Sequence, residues 1–359
     1  MDALERIGKL KENMRGIADY AFITPGTNFY YFTKLDISGS MERLLLLIIH
    51  SEKDPYVLAP KMYEDELDKI KMDVYLWKDD ENPYELLKKL VNFKDKRILI
   101  EDNMPSGIFL RIMESLKGNI FLPLSPVMVN LRIIKDAEES EFMKKSAEIV
   151  DRVFLKLTSE NLKGMTELEL SRIIENYIKY YGGDKTSFDP IVASGSNSSK
   201  PHHSPDNTTI KNGDPVILDY GAKYRGYCSD ITRTVFIGEI SKEEKKVYEI
   251  VKMAQESAIS AVKPGKRASE IDMVARKIIS DHGYGEFFIH RTGHGLGLDV
   301  HEEPYINSVN NLILENGMFF TIEPGIYIPG KFGVRIEDDV FLYNKGQEIT
   351  KSEKMIEIL

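Results

Sequence analysis

A pattern that repeats after slightly more than one hundred residues constrains the fold of this chain most strongly. Four capping-box signals, each a polar or acidic residue with an acid three positions later, predict the starts of four helices. These signals begin at Asp136, Thr166, Ser241 and Ser269. A strand-turn-strand pattern follows each pair of helices, at 215–237 and at 318–343. Corresponding positions are 103 to 107 residues apart, so we predict a duplicated helix-helix-hairpin unit whose hairpins face one cleft.

The residues before this repeat have a different pattern. Strand-like apolar runs at 43–49 and 97–100 alternate with helix-like stretches, which is typical of a small α/β domain. Pro126 interrupts the pattern shortly before the first capping box. We therefore predict two domains, an α/β domain at 1–128 and a larger domain of helices and hairpins at 129–359.

Composition argues against several classes of protein. The net charge is −9 and no long basic run is present, whereas phosphate binding needs clustered lysine and arginine. The longest apolar run, 44–49, is far shorter than the roughly 20 residues of a membrane span. Cys228 is the single cysteine, so no internal disulfide can form. The chain begins without an apolar leader, and we expect a soluble cytoplasmic protein with no nucleic-acid or membrane partner.

Four carboxylates occupy matched places in the two predicted hairpins. They are Asp219, Asp230, Glu323 and Glu337. Two of them, Asp219 and Glu323, follow apolar strand residues, where an ionised side chain is costly unless its charge is compensated. Four acids brought together repel each other unless cations lie among them. The residues alone leave two interpretations open, salt bridges to Arg233 or Arg335 and a metal centre.

The histidines favour the metal centre. Six of the seven follow residue 200, and His294 lies between two glycines. One histidine with four carboxylates forms a hard, oxygen-rich donor set that suits a pair of divalent cations. We expect two ions per subunit, Mn²⁺ or Co²⁺ first and Fe²⁺ or Zn²⁺ as alternatives. Such a pair can hold a bridging water and lower its pKa, which is hydrolytic chemistry at a carbonyl or phosphoryl centre.

Four stretches, in this order, resemble those of a known family. They read ILDYGAKYRGYCSDITRT, FIHRTGHGLGLDVHEEP, TIEPGIYI and VRIEDD. Together they resemble the metallopeptidases of the methionine aminopeptidase, aminopeptidase P and prolidase group, peptidase family M24, whose catalytic fold is called pita-bread. The first 130 residues are similar to the N-terminal domain of the prolidase and aminopeptidase P branch. The resemblance implies a creatinase/prolidase-like α/β N-terminal domain followed by an α+β pita-bread catalytic domain with duplicated halves.

The resemblance also implies how the metals are held. Asp219 would bind one metal alone, while His294 and Glu323 would bind the other. Asp230 and Glu337 would bridge the two.

Further roles follow for residues on the substrate side. His202 and His301 look like catalytic residues that also bind substrate, with Glu323 as the group that transfers the proton. His203 is an alternative to His202 that spacing does not exclude. The remaining substrate-binding residues implied are His290, Tyr327 and Arg335. Arg335 could instead neutralise the buried acids.

The activity implied by the resemblance is metal-dependent hydrolysis of the X–Pro bond of Xaa-Pro dipeptides by a hydroxide that bridges the metals. The first alternative is an Xaa-Pro aminopeptidase acting on longer peptides, and the second is a non-catalytic binding module on the same fold. A phosphoesterase is disfavoured because no glycine-rich phosphate loop is present. The family commonly forms homodimers, so we expect a homodimer whose substrates are proline-containing dipeptides or short peptides.

Overall fold

The computed structural model describes residues 1–37, 42–91 and 94–354, together with the backbone of 357–358. Contacts within the chain divide it into two compact units, Met1–Arg132 and Ile133–Leu359. Among the described residues, none of the helices combines the length and the apolar character that a membrane span requires.

The first unit is built on a six-stranded sheet. Its elements are α1 (Ala3–Met14), β1 (Tyr20–Ile23), α2 (Thr27–Thr33), β2 (Leu46–His50), β3 (Tyr56–Pro60), α3 (Glu64–Leu67), β4 (Asp73–Trp77), α4 (Pro83–Leu90), β5 (Arg97–Ile100), α5 (Ser106–Ser115), β6 (Ile120–Pro123) and α6 (Ser125–Arg132). The strand order is β4-β3-β2-β1-β5-β6, with β1 antiparallel to β2 and parallel to β5. All four residues of β1 are buried, so this strand is covered on both faces. The predicted strand 97–100 is confirmed, and the one at 43–49 begins later, at Leu46.

The second unit contains the repeat. Its elements are α7 (Ala137–Leu157), α8 (Glu167–Tyr180), β7 (Lys185–Thr186), β8 (Ile191–Ser194), β9 (Pro215–Tyr220), β10 (Ala222–Tyr224), β11 (Tyr227–Cys228), β12 (Ile231–Ile237), α9 (Lys242–Ala261), α10 (Ala268–Asp281), β13 (Gly293–Gly295), β14 (Glu302–Ile306), β15 (Phe319–Ile322), β16 (Gly325–Ile328), β17 (Phe332–Arg335), β18 (Asp338–Tyr343), β19 (Lys345–Glu348) and β20 (Glu357–Ile358). Two of its sheets have the orders β20-β12-β9-β8 and β14-β13-β15-β18-β19. Helices α7 and α8 bury their apolar faces against β9 and β12 in a cluster that includes Val150, Ile174 and Leu218.

Three of the four predicted capping boxes are confirmed, at the starts of α7, α8 and α9. In each, the cap residue and the acid three positions later bond to each other's main-chain N–H. The fourth prediction, Ser269 with Asp272, is wrong. Helix α10 begins at Ala268, and Glu270 accepts from the N–H of Arg267 over 2.8 Å. Asp272 is fully buried and bonds to other side chains, so its carboxylate does not face the end of the helix.

Both predicted hairpins are present. In the first, β9 pairs with β12 and β10 with β11, and Asp230 lies between β11 and β12. Asp219 in β9 is the register partner of Thr232 in β12. In the second hairpin β15 pairs with β18 and β16 with β17, and the gap between these two pairs contains Glu323 and Glu337. A β-bridge between Thr232 and Glu337 joins one hairpin to the other. The two halves of the repeat therefore meet at their carboxylates.

Candidate metal centre

Five side chains of the second unit converge on one cavity. They are Asp219 in β9, Asp230 immediately before β12, His294 in β13, Glu323 immediately after β15 and Glu337 immediately before β18. Ligand atoms of Asp230, His294 and Glu337 all lie within 4.8 Å of one another. His294 Nε2 is 3.7 Å from Asp230 Oδ2 and 3.5 Å from Glu323 Oε1. The structure thus brings together all five residues that the sequence predicts as metal ligands.

Three of these carboxylates keep a buried oxygen that has no hydrogen-bond partner among the described residues. The atoms are Asp219 Oδ1, Asp230 Oδ1 and Glu337 Oε1. Burial, and then repulsion between the acids, raises the pKa of Asp230 and of Glu337 well above the usual range. Burial also raises the pKa of Glu323 to about 7. Such a cluster can be ionised only with compensating positive charge, and its oxygen-rich donors fit divalent cations.

The ring of His294 is oriented with one nitrogen toward the acids. Its Nδ1 lies 3.1 Å from the carbonyl oxygen of Gly295, which can only accept, so the proton is on Nδ1 and the lone pair is on Nε2. Burial lowers the pKa of His294 to about 3, so the ring is neutral. Neutral imidazole with a free Nε2 is the form that binds a metal, and a carbonyl partner for the other nitrogen is the usual way of fixing it.

The two arginines considered as partners for these acids have different roles. Arg335 donates from Nη2 to Asp219 Oδ2 over 2.5 Å. Arg233 pairs with Asp338 at 2.6 Å. In the part of the chain that the structure describes, the carboxylates of Asp230, Glu323 and Glu337 form no salt bridge with an arginine. Salt bridging therefore accounts for one of the four carboxylates, and three remain to be balanced.

Tyr327 connects Arg335 to His290. Its hydroxyl accepts from Arg335 Nη1 over 2.7 Å and lies 2.9 Å from His290 Nε2. His290 Nδ1 faces the carbonyl oxygen of Arg291 at 2.7 Å, so Nε2 is the acceptor and the tyrosine donates to it. Burial lowers the pKa of His290 to about 3, and the ring is neutral. These three predicted substrate residues form a hydrogen-bonded chain that ends at Asp219.

The neighbours His202 and His203 have different surroundings. His202 lines the cavity beside the carboxylates. His203 is buried, and its Nε2 lies 2.6 Å from Glu167 Oε2. Glu167 is fully buried at the start of α8 and also accepts from the N–H of Ser194 over 2.7 Å. His202 therefore faces the candidate centre, whereas His203 holds its loop to helix α8.

The cavity has a volume of about 540 Å³, within the range of sites for small molecules. Its apolar lining is Phe188, Ile191, Pro201 and Val300. The predicted residue His301 also lines it, and the His301 ring lies edge-on to His294 with the ring centroids 4.2 Å apart. Burial lowers the pKa of His301, and the nearby charge of Arg291 lowers it further.

Sequence reasoning missed Arg291, which lines the same cavity. Its guanidinium lies over the ring of Tyr305, 4.6 Å from the centroid, and no carboxylate among the described residues forms a salt bridge with it. The sequence feature that could have indicated it is its position next to His290, three residues before His294.

Thr232 was also missed. Its hydroxyl donates to Glu337 Oε2 over 2.7 Å.

Comparisons with known proteins agree with this arrangement. The model of metallopeptidase family M24 matches residues 141–344, more than half of the chain, and the creatinase/prolidase N-terminal domain matches residues 6–134. The chain belongs to metallopeptidase family M24. The expected class of enzyme, a metallopeptidase, is therefore confirmed, and M24 membership accounts for a donor set suited to divalent metals.

Solved structures of several peptidases resemble the whole chain. A prolidase from Thermococcus sibiricus is 50% identical, covers 100% of both chains and has a TM-score of 0.97. A dipeptidase from Pyrococcus horikoshii OT3 is 47% identical over 99% of this chain and 100% of its own, with a TM-score of 0.95. An X-Pro aminopeptidase from Thermotoga maritima is 34% identical over 97% and 100% of the two chains, with a TM-score of 0.84. The expected fold, an α/β N-terminal domain before a pita-bread catalytic domain, is confirmed.

Proposed function

We propose that this chain hydrolyses the bond before proline in Xaa-Pro dipeptides, with two divalent cations bound at the candidate centre. The ligands would be Asp219, Asp230, His294, Glu323 and Glu337. Mn²⁺ or Co²⁺ is proposed first and Fe²⁺ or Zn²⁺ as alternatives, because most donors are carboxylate oxygens. Cations held there supply a polarised scissile carbonyl and a water of lowered pKa. The likeness to a prolidase and a dipeptidase supports the reaction.

Arg291 is the observation that favours a dipeptide over a longer peptide. Two arginines line the cavity, and Arg335 is already paired with Asp219. Arg291 forms no salt bridge among the described residues, although its charge lowers the pKa of Glu323, so its guanidinium has no direct carboxylate contact and can bind a ligand. The proline of a dipeptide carries a free carboxylate one residue beyond the scissile bond, whereas a longer peptide has a neutral amide there. A guanidinium binds a carboxylate in a forked, charge-assisted contact that an amide does not reproduce.

Other residues of the cavity suit the rest of such a substrate. The apolar side chains Phe188, Ile191 and Val300 offer a surface for the pyrrolidine ring. His202 and His301 are proposed to contact the carbonyl oxygen at which negative charge develops. His290 and Arg335 line the pocket and would complete it, held together by the Tyr327 hydroxyl between them.

Glu323 is proposed to transfer the proton. The nitrogen of an X–Pro bond is a tertiary amide without N–H, so it must gain a proton before it can leave. The Glu323 carboxylate lines the cavity next to His294, where it is proposed to accept a proton from the water and donate it to that nitrogen.

The direct test is cleavage of Met-Pro and of Met-Pro-Gly by metal-stripped enzyme to which Mn²⁺ or Co²⁺ is returned. We expect metal-dependent release of proline from Met-Pro and little release of methionine from Met-Pro-Gly. Equal cleavage of both would favour an Xaa-Pro aminopeptidase. Cleavage of neither, by a protein that binds metal, would favour a non-catalytic binding module.

Substitution of the ligands tests the centre itself. We expect Asp230→Asn, at a bridging position, to lose both ions and Asp219→Asn to lose one, as measured by elemental analysis of the purified protein. Asp281→Asn is a matched control, because this exposed acid lies outside the cavity and, among the described residues, forms a salt bridge with Lys277 alone. Full metal content in Asp230→Asn would contradict the proposed ligand set.

We also propose a cytoplasmic homodimer. The single cysteine, Cys228, is buried and unpaired, which fits a reducing compartment. Light scattering on the purified protein should give twice the mass of the chain, and the mass of one chain would contradict the dimer.

A further inference from the structure

Asp272 is a fully buried carboxylate of helix α10 that does not line the cavity. Arg276, one turn later, donates to it twice, from Nε to Oδ2 over 2.9 Å and from Nη2 to Oδ1 over 2.9 Å. The hydroxyl of Thr292 donates to the same Oδ1 over 2.7 Å. A forked pair of this kind fixes the orientation of the guanidinium as well as its distance.

The same guanidinium also holds the main chain next to the cavity. Nη1 donates to the carbonyl of Phe288 over 3.1 Å and Nη2 to the carbonyl of His290 over 2.9 Å. The guanidinium carbon lies 4.3 Å from the centroid of the Phe288 ring. The carbonyl of Thr292 in turn accepts from the N–H of Glu323 over 2.7 Å. His290 and Thr292, on each side of Arg291, are therefore hydrogen-bonded to side chains of helix α10.

We infer that Asp272 and Arg276 are positioning residues for recognition of the substrate carboxylate. They fix the segment 288–292 so that Arg291 is presented to the cavity before substrate binds. Ordering a free arginine costs conformational entropy at each binding event, and a segment already held on a helix avoids much of that cost. This inference rests on the proposed function of Arg291. Neither positioning residue touches the substrate, so their effect passes through Arg291.

The readout is the ratio of kcat/KM for Met-Pro to kcat/KM for Met-Pro-amide, which isolates recognition of the free carboxylate. Loss of a charge-assisted contact lowers such a ratio by about 10-fold to 100-fold. We expect that loss in Arg291→Met. Arg276→Met should lower the ratio by about 10-fold, mainly through the KM of Met-Pro, with the metal content and the kcat for the amide near those of wild type.

Two further variants test whether the effect of Arg276 depends on its forked hydrogen bonds, rather than on its charge or on a general disturbance of helix α10. Arg276→Lys keeps the charge but cannot make the forked contact with Asp272, so the ratio should stay low. Lys277→Met removes an exposed cation from the next position of the same helix and should leave the ratio unchanged. A wild-type ratio in Arg276→Lys would mean that charge alone matters and would overturn the inference. If Arg276→Met does not fold, Thr292→Val removes one hydrogen bond and should lower the ratio by a smaller factor.

The double variant Arg276→Met with Arg291→Met decides whether one residue acts through the other. If Arg276 positions Arg291, its substitution causes no further fall in the ratio once Arg291 is gone. A second, independent fall would overturn the inference while leaving the proposed function intact. An unchanged ratio in Arg291→Met alone would count against both the carboxylate site and the positioning role. Cleavage of Met-Pro in that variant would still support the X–Pro activity.

Discussion

The hydroxyl of Thr232 donates to the Glu337 carboxylate over 2.7 Å, and the N–H of Glu337 donates to the carbonyl of Thr232 over 3.0 Å. Arg335 adds a third contact, from Nε to the same hydroxyl over 3.1 Å. Thr232 belongs to the first hairpin, and the other two residues belong to the second. A proposed bridging ligand is thus oriented by the opposite half of the repeat.

Thr232→Val should weaken metal binding. The substitution keeps the shape of the side chain but leaves both oxygens of Glu337 without a hydrogen-bond donor among the described residues. Loss of a group that orients a metal ligand typically costs about 10-fold to 100-fold in affinity. Titration of metal-stripped protein with Mn²⁺ against a chelator measures the change. Thr232→Ser retains the hydroxyl and should bind within a few-fold of wild type; equal affinity in Thr232→Val would contradict the orienting role.

Without cations, Glu323 should make the protein less stable as the pH rises through neutral. In the chain without cations the folded pKa of Glu323 is about 7, above its ordinary value of 4.5. Its contribution to stability is therefore fully present below about 4.5 and is lost as pH rises through about 7. In urea unfolding of metal-stripped protein, Glu323 should lower the free energy of unfolding at pH 8 relative to pH 5. His290 and His294 act in the opposite direction, because burial lowers their pKa values to about 3 and they cost stability below about pH 6.5. Added Mn²⁺ should stabilise the protein most at pH 8, because the ligands bind as anions.

The matched control for that experiment is Glu323→Gln, which cannot ionise. Its metal-stripped form should lose less stability between the two pH values than wild type does. An identical loss in both proteins would show that other groups cause the pH dependence.

His202→Ala should lower activity and His203→Ala should lower stability, although the two residues are neighbours. His202 faces the cavity, so its removal should lower kcat/KM by about 10²-fold to 10⁴-fold at unchanged stability. His203 partners buried Glu167, so its removal should lower the free energy of unfolding by about 1–3 kcal/mol. Steady-state kinetics and urea unfolding on both variants measure the two effects. Loss of activity at full stability in His203→Ala would reverse the assignment.

Cys228 should be unreactive in the folded protein. Burial raises the pKa of its thiol to about 11, so almost no thiolate exists at pH 8, and the side chain is fully buried. Iodoacetamide at pH 8 should leave the native protein unlabelled and add one group after denaturation, as read by intact mass. Rapid labelling of native protein would indicate local opening around β11.

The sequence predicted the features that depend on local chemistry. The capping boxes at Asp136, Thr166 and Ser241 require only a cap and an acid three residues later, so they can be read from a short segment. The capping box of α10 was misplaced because two acids, Glu270 and Asp272, lie near the start of that helix. Only the fold shows that Arg276 and Thr292 take Asp272 away from the helix end.

The convergence of the four carboxylates was predicted because the repeat places the two hairpins at one cleft, and the full set of five ligands with His294 was predicted from the family resemblance. The distinction between His202 and His203 was not predicted, since it depends on Glu167, which lies about three dozen residues earlier in the chain. Arg291 was missed for a related reason. The sequence does not show whether an arginine forms a salt bridge, because its neighbours in space are set by the fold.

The contact between Asp219 and Arg335 joins residues 116 positions apart, and this separation matters while the protein is being synthesised. The first hairpin leaves the ribosome with its two aspartates long before the guanidinium that neutralises one of them. Until then those acids are stable only in water, because burying them unpaired is unfavourable. We therefore expect the first half of the repeat to complete its core around an ionised Asp219 only after the second half has been synthesised, and the proposed metal centre to form after that.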